Sequence, residues 1–127
     1  PIVDVLGYAE SAKKQGLSLL WGPGNDLVSA TNLTAAGCQL ILFTTGRGTP
    51  FGAPAPTMKL SSNDSLAKRK KNWIDFNAGT VASSGESIES AAERLWNFVK
   101  EAASGKKTRS EEHDCREISI FKDGVIL

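Results

Sequence analysis

Residues 40–52 read Leu40-Ile-Leu-Phe-Thr-Thr-Gly-Arg-Gly-Thr-Pro-Phe-Gly52. The continuous apolar run at the start, Leu40 to Phe43, is typical of a strand that is buried on both faces of a parallel sheet. Two hydroxyl residues follow, and then Arg47 stands between two glycines. Glycine lets a ligand approach the main chain closely, and the guanidinium fork of arginine matches a carboxylate or a phosphate. We interpret the segment after the strand as an oxyanion-binding loop, with a plain tight turn as the alternative.

Composition and charge narrow the function classes. The chain has 127 residues, of which 40% are hydrophobic and 23% are charged, as in a single globular domain. Its net charge of +1 predicts no general attraction to nucleic acid or to a membrane surface. We interpret the basic run Lys68-Arg69-Lys70-Lys71 as the solvated face of a helix. Nucleotide binding is not favoured, because the chain contains neither a dinucleotide-binding glycine motif nor a phosphate-loop motif.

Cysteine usage and hydropathy indicate the compartment. Cys38 and Cys115 have no metal-like spacing and do not form a disulfide framework, so we expect a cytoplasmic protein. No apolar run approaches the roughly 18 residues of a membrane span. The chain begins with Pro-Ile-Val rather than methionine, which leads us to expect a fragment of a longer protein.

Strand and helix patterns alternate along the chain. Asn25 or Asp26 is the expected N-cap of the first helix, and Gly37 is its expected C′ residue. The helix Glu86–Ser104 has the clearest apolar stripe, running from Ile88 to Ala102. The predicted elements are the strands Ile2–Leu6 and Leu17–Trp21, a helix from Leu27 to Ala36, the strands Gln39–Thr45 and Thr57–Leu60, a helix from Ser65 to Lys71, the strand Trp73–Phe76, the helix Glu86–Ser104, a polar segment at 106–115 that we expect to be mobile, and a C-terminal hairpin of Glu117–Phe121 with Val125–Leu127 around Asp123-Gly124.

This alternation predicts a single α/β domain over residues 1–127. We expect a three-layer sandwich with a mainly parallel sheet of Rossmann-like or flavodoxin-like topology, closed by the C-terminal hairpin. Ligands bind such sheets at the carboxyl ends of the strands. The loops predicted at that edge are Gly22–Asp26, Thr44–Gly52, Ser61–Asp64 and Asp75–Gly79. Their Asn, Asp and Ser residues have a second explanation, since helix capping alone selects the same residue types.

The same loops form motifs that extend over nearly the whole chain. They are Gly22-Pro-Gly-Asn-Asp26, Leu42-Phe-Thr-Thr-Gly-Arg-Gly-Thr-Pro-Phe-Gly-Ala-Pro54, Ser61-Ser-Asn63, Trp73-Ile-Asp-Phe-Asn-Ala-Gly79 and Arg116-Glu-Ile-Ser-Ile-Phe-Lys-Asp-Gly124. Together they resemble the C-terminal domain of the altronate dehydratase and galactarate dehydratase family, with the altronate branch the closer. The resemblance implies a hydro-lyase that converts a sugar acid to a 2-keto-3-deoxy acid with a divalent metal, usually Fe²⁺. It also implies an N-terminal portion of the same enzyme as a partner, and an isolated fragment that folds but has little or no activity.

The resemblance suggests roles for individual residues. Arg47, with the amides of Gly46 and Gly48, is the candidate for binding the substrate carboxylate, because an enediolate intermediate concentrates negative charge there. Asp26 and Asp75 are the carboxylates best placed for metal binding or proton transfer. The candidates for binding the rest of the substrate are Asn25, Thr44, Thr45, Thr49, Ser61, Ser62, Asn63 and Asn77.

The sequence does not determine the metal ligands or the partners. The one histidine, His113, lies in a polar stretch, where we expect a surface residue, so we expect most metal ligands outside this chain. A homo-oligomer is possible, and no nucleic-acid or membrane partner is expected. The alternative functions are a noncatalytic module that binds an acidic metabolite or phosphate, and a structural or dimerisation domain in which Arg47 only shapes a loop.

Overall fold

The computed structural model describes residues 1–120, and within them the chain forms five strands and five helices. The elements are β1 (Ile2–Leu6), β2 (Leu17–Leu20), α1 (Asp26–Ala35), β3 (Ile41–Thr45), β4 (Thr57–Ser61), α2 (Asp64–Arg69), β5 (Phe76–Asn77), α3 (Thr80–Ser83), α4 (Ile88–Ala103) and α5 (Arg109–Glu112). Among these residues no helix has the length and apolarity needed to cross a membrane.

The strands form two parallel sheets. β1 pairs with β2, and β3, β4 and β5 form a second sheet in that order. The α/β class and the parallel pairing predicted from the alternating pattern are therefore confirmed. Within residues 1–120 no ladder joins the two sheets, so β3 is an edge strand.

Helices α1 and α4 cover opposite faces of the three-stranded sheet. One core cluster brings Ala30 of α1 together with Ile41 of β3 and Phe51 of the following loop. The other cluster contains Met58, Leu60 and Phe76 of β4 and β5, and Leu95, Phe98, Val99 and Ala102 of α4 pack against it. Helix, sheet and helix are thus the three predicted layers.

Two strands differ from their predictions. β3 is not buried on both faces, since Ile41 is 3% exposed but Leu42 is 47% exposed. The reason is that α4, which covers this face of the sheet, packs against β4 and β5, while β3 lies at the edge. The strand predicted at Trp73–Phe76 is instead the two-residue β5, because Trp73 and Ile74 both donate to the carbonyl of Lys70 and close a turn there.

The C-terminal third also departs from the sequence pattern. Ile88 starts the predicted stripe of α4 but is 71% exposed, whereas Ala91 is buried. Segment 106–115 contains α5, and Thr108 and Ser110 there are buried; its mobility stays a prediction. Residues 117–120 form no strand, because after the bond from the Glu117 amide to the carbonyl of Gly52 (2.7 Å) the amide of Ser119 donates to the side chain of Thr31 (3.0 Å) rather than to a neighbouring strand. The remainder of the predicted hairpin lies outside the described residues.

Candidate functional site

The carboxyl ends of β3, β4 and β5 bring three predicted site residues side by side. Thr45, Ser61 and Asn77 are successive Cα partners across the parallel ladder. The pairing continues past the strands, since the amide of Ser62 donates to Thr45 (3.0 Å) and the amide of Ala78 donates to Ser61 (2.9 Å). The loops after these strands therefore lie at one edge, as the topology predicts.

The Gly-Arg-Gly loop has a fixed backbone and a free side chain. The amide of Gly48 donates to Thr45 Oγ1 (2.9 Å), Asn63 Nδ2 donates to the carbonyl of Gly46 (3.1 Å), and Lys70 Nζ donates to the carbonyl of Arg47 (3.1 Å). The Arg47 guanidinium is exposed and has no hydrogen bond or ion pair among the described residues. The loop thus presents a cation at this edge of the sheet, while the Gly48 amide is already occupied.

Gly48 itself is required by two features of this loop. Its φ of +79° is left-handed, and a Cβ there would lie 2.9 Å from Leu66 Cδ1. A side chain at this position would be strained and would collide with α2. The backbone of Gly48 therefore lies close to Leu66 of α2.

Local contacts at the start of α2 explain two of the other candidates. Asn63 caps α2, because its Oδ1 accepts from the amide of Leu66 (2.9 Å). Ser61 is fully buried and its hydroxyl donates to the carbonyl of Asn63 (2.7 Å). By contrast, Thr44 and Ser62 are exposed, so a ligand at this edge can approach these two residues.

A polar cluster extends from Asn77 to the next helices. Asn77 Nδ2 donates to Asp64 Oδ1 (2.7 Å), and Ser83 Oγ donates to Asp64 Oδ2 (2.5 Å). These bonds from Ser83 and Asn77 lower the pKa of Asp64. Gly79 permits the approach, since a Cβ there would lie 2.5 Å from the backbone nitrogen of Asp64. The carboxylate is held ionised at the start of α2.

Arg94 of α4 closes this cluster. Its Nη2 donates to the carbonyl of Asn77 (3.1 Å), to Thr80 Oγ1 (3.2 Å) and to Glu86 Oε2 (2.8 Å). The hydrogen bonds from Arg94 and Thr80 lower the pKa of Glu86 to about 2. The sequence analysis did not identify Arg94 and Glu86, since the residues next to a charged side chain do not indicate which distant residues it will contact.

Asp75 lies before β5, not after it, and is engaged in backbone contacts. Its Oδ2 accepts from the amide of Lys59 and its Oδ1 accepts from the amide of Arg109, both at 2.7 Å. Burial raises the pKa of Asp75, although these two bonds and the charges of Lys59 and Arg109 oppose the rise. Its predicted role in metal binding or proton transfer stays a prediction.

Asn25 and Asp26 stand apart from the other candidates. Asn25 caps α1 through the amide of Val28 (3.2 Å), as predicted. Asp26 is exposed in the first turn of that helix. Among the described residues no hydrogen bond joins either side chain to the loops after β3, β4 and β5.

Thr49, the remaining candidate, lies in the loop after β3. Its carbonyl accepts from Lys59 Nζ (3.0 Å).

Known proteins match this chain along its whole length. The family model described as D-galactarate/altronate dehydratase, C-terminal, matches residues 1–126. The chain belongs to this dehydratase family. The chain is 48% identical over 127 residues to altronate dehydratase of Bacillus subtilis (strain 168), covering 100% of the chain and 26% of that protein. The resemblance noted from the loop motifs is confirmed.

Two further relatives come from Escherichia coli (strain K12). Altronate dehydratase is 48% identical over 126 residues, which are 99% of the chain and 25% of that protein. Galactarate dehydratase (L-threo-forming) is 41% identical over 107 residues, which are 84% of the chain and 20% of that protein. The chain therefore spans about a quarter of the length of the altronate dehydratases that it matches.

The described residues of this dehydratase-family chain do not fit a divalent metal. Within residues 1–120 no group of three or more His, Cys, Asp or Glu side chains is placed to hold one. Asp64, at the carboxyl edge, already accepts from Asn77 and Ser83. His113 is exposed at the end of α5.

Proposed function

We propose that this chain is the C-terminal domain of an enzyme that dehydrates a sugar acid, altronate or galactarate, to a 2-keto-3-deoxy acid. The observation that carries the proposal is the 48% identity over the full chain to a protein named altronate dehydratase. Identity to galactarate dehydratase is lower, at 41%, and covers less of the chain. Altronate is therefore the favoured substrate of the two.

The chemistry of this reaction gives the Arg47 loop a role. Removing the proton next to a carboxylate produces an enediolate, and positioned cations stabilise the charge that develops. Arg47 supports this assignment because it is exposed in the loop after β3, at the sheet edge where the hydroxyl-bearing residues Thr44 and Ser62 are also exposed. We propose that Arg47 binds the substrate carboxylate and that these two residues bind substrate hydroxyls.

We propose that the remaining catalytic groups come from other parts of the full-length enzyme. The poor fit of residues 1–120 to a divalent metal supports this division, so we assign the ligands of an Fe²⁺ or similar ion to residues outside that range.

The sheet of β1 and β2 offers a surface for that contact. Ile2 pairs with Leu17, and Val5 pairs with Leu19, and all four side chains are between 49% and 70% exposed. Parallel sheets are normally covered on both faces. We propose that the remainder of the full-length enzyme covers this apolar face; a second copy of the chain is the competing occupant.

The test uses the full-length enzyme. It is incubated with altronate or galactarate, with and without added ferrous iron, and the 2-keto-3-deoxy product is measured. Turnover of one substrate supports the proposal and identifies the substrate. The absence of product from both substrates, with a folded and iron-loaded enzyme, refutes it.

Arg47→Ala tests the assigned role directly. We expect kcat/KM to fall by roughly 100-fold, the scale for a lost partner of a developing charge. Arg69→Ala is the matched control, because Arg69 is also exposed but lies in the last turn of α2. Equal activity of the two variants would show that Arg47 only shapes the loop.

A further inference from the structure

Lys59 is a buried cation at the centre of the three-stranded sheet. It occupies the third position of β4, and its side chain is among the most buried in residues 1–120, with 1% of the residue exposed. Lysine is almost never fully buried without partners, because its charge loses hydration there. Its contacts therefore indicate what the charge does in this fold.

The ammonium of Lys59 bonds to the backbone of the Arg47 loop. Nζ donates to the carbonyls of Thr49 (3.0 Å) and Phe51 (2.8 Å). These carbonyls flank Pro50 and lie outside the strands, so no ladder bond satisfies them. An unpaired buried carbonyl would cost the free energy of a lost hydrogen bond.

Other contacts hold the remainder of the loop. Thr45 and Lys70 bind its first half, at Gly48 and at Arg47. At its end, the amide of Gly52 donates to Glu117 Oε2 (2.8 Å). Lys59 binds the segment between these two anchors, and within residues 1–120 no other hydrogen bond joins that segment to the sheet.

We propose that Lys59 is a positioning residue, whose buried ammonium holds the Thr49–Phe51 backbone and so places the Arg47 guanidinium at the carboxyl edge of the sheet. The inference rests on the role proposed for Arg47. Lys59 acts through the loop, and Arg47 contacts the substrate. A displacement of about 1 Å at such a contact can reduce the rate by roughly 100-fold.

The first experiment measures the loop without reference to activity. An arginine-specific protease is applied to full-length Lys59→Met, in which the side chain keeps its approximate volume but loses its charge and donors. We expect cleavage after Arg47 to become at least about tenfold faster, since a loosened loop opens more often, while cleavage after the exposed Arg116 is unchanged. Lys100→Met, at an exposed position of α4, is the control for removal of a lysine.

The second experiment is a double-mutant cycle in kcat/KM. Lys59→Met alone should lose roughly 100-fold. In the Arg47→Ala background it should lose less than about threefold more, since two residues that act through one contact are not additive. Losses that simply add would show that Lys59 does not act through Arg47, and the inference would be wrong.

The outcomes separate this inference from the proposed function. If Arg47→Ala retains full activity, the proposed role of Arg47 fails, and the protease rate still decides whether Lys59 holds the loop. If Arg47→Ala is impaired while Lys59→Met is cleaved and reacts like the wild type, the Lys59 inference fails alone. Equal acceleration of cleavage after Arg47 and Arg116 also overturns it, since that indicates general destabilisation. If Lys59→Met does not fold, the same measurements on Lys59→Arg decide.

Discussion

Asp75 offers a test of whether a carboxylate of this domain is structural. Its two oxygens accept from the amides of Lys59 and Arg109, both at 2.7 Å. The amide of Lys59 belongs to the buried centre of β4, and the amide of Arg109 belongs to the first residue of α5. Asp75 therefore links the sheet to the C-terminal helix, and its replacement should weaken the folded state.

The size of the effect follows from these two bonds. A hydrogen bond to a charged group contributes about 1.5–3 kcal/mol, and an unsatisfied buried donor costs about 1–3 kcal/mol. Because the amide of Lys59 has no access to water, loss of its bond to Asp75 should cost about 2 kcal/mol. Loss of the bond from the amide of the exposed Arg109 should cost about 1 kcal/mol. We expect Asp75→Ala to reduce the free energy of unfolding by about 3 kcal/mol. Asp75→Asn, which keeps one acceptor oxygen, should lose about half of that.

Urea unfolding of the 127-residue chain, followed by tryptophan fluorescence, measures this difference. Glu93→Ala is the control, because Glu93 is an exposed carboxylate of α4 and surface substitutions change stability by less than about 0.5 kcal/mol. If Asp75→Ala loses less than about 1 kcal/mol, below the range for one charged bond, the structural explanation is refuted. An inactive full-length Asp75→Asn of normal stability would then favour the predicted catalytic role.

Three further predictions concern packing, pH and assembly. Gly79→Ala should cost about 1–3 kcal/mol in urea unfolding, since its Cβ would lie 2.5 Å from the backbone of Asp64, whereas Gly24→Ala, with nothing within 4 Å, should cost little; equal losses would contradict this packing argument. The pKa of Glu86 falls from 4.5 to about 2, so its stabilising effect is complete above pH 4.5 and lost as the pH falls towards 2. Glu86→Gln should remove that part of the acid dependence of unfolding, and an unchanged acid transition would exclude the contribution. Leu19→Lys, on the exposed face of the two-stranded sheet, should destabilise the full-length enzyme but hardly change unfolding of the 127-residue chain. Equal effects on both would refute the proposed interdomain contact.

Local features of the chain could be predicted because they depend on neighbouring residues. Asn25 caps α1, Asn63 caps α2, and Gly37 and Gly105 follow the helix ends with φ of +106° and +102°. Capping depends on a side chain reaching an amide within three residues, so the residue type alone indicates it. The parallel pairing of β3, β4 and β5 followed from the same local patterns through the alternation of strands and helices.

The sequence predicted which candidate residues lie together only where topology determines their position. Thr45, Ser61 and Asn77 meet because parallel strands end at one edge. Asn25 and Asp26 belong to a helix that follows the separate two-stranded sheet, and sequence patterns do not show which sheet a strand joins. Asp75 was predicted in the loop after its strand but lies before β5, because a turn closed by the carbonyl of Lys70 moves the start of the strand to Phe76.

The sequence by itself determined most of the strands and the longer helices, their caps, the glycine positions of the Arg47 loop and the family. Only the tertiary structure showed that Lys59 donates to the backbone of that loop, that Asp75 joins β4 to α5, and that Arg94 reaches Asn77. The physical reason is the separation of the contacting residues along the sequence. Capping and strand formation depend on residues a few positions apart, whereas these contacts join residues up to 34 positions apart, which only the packing of the layers brings together.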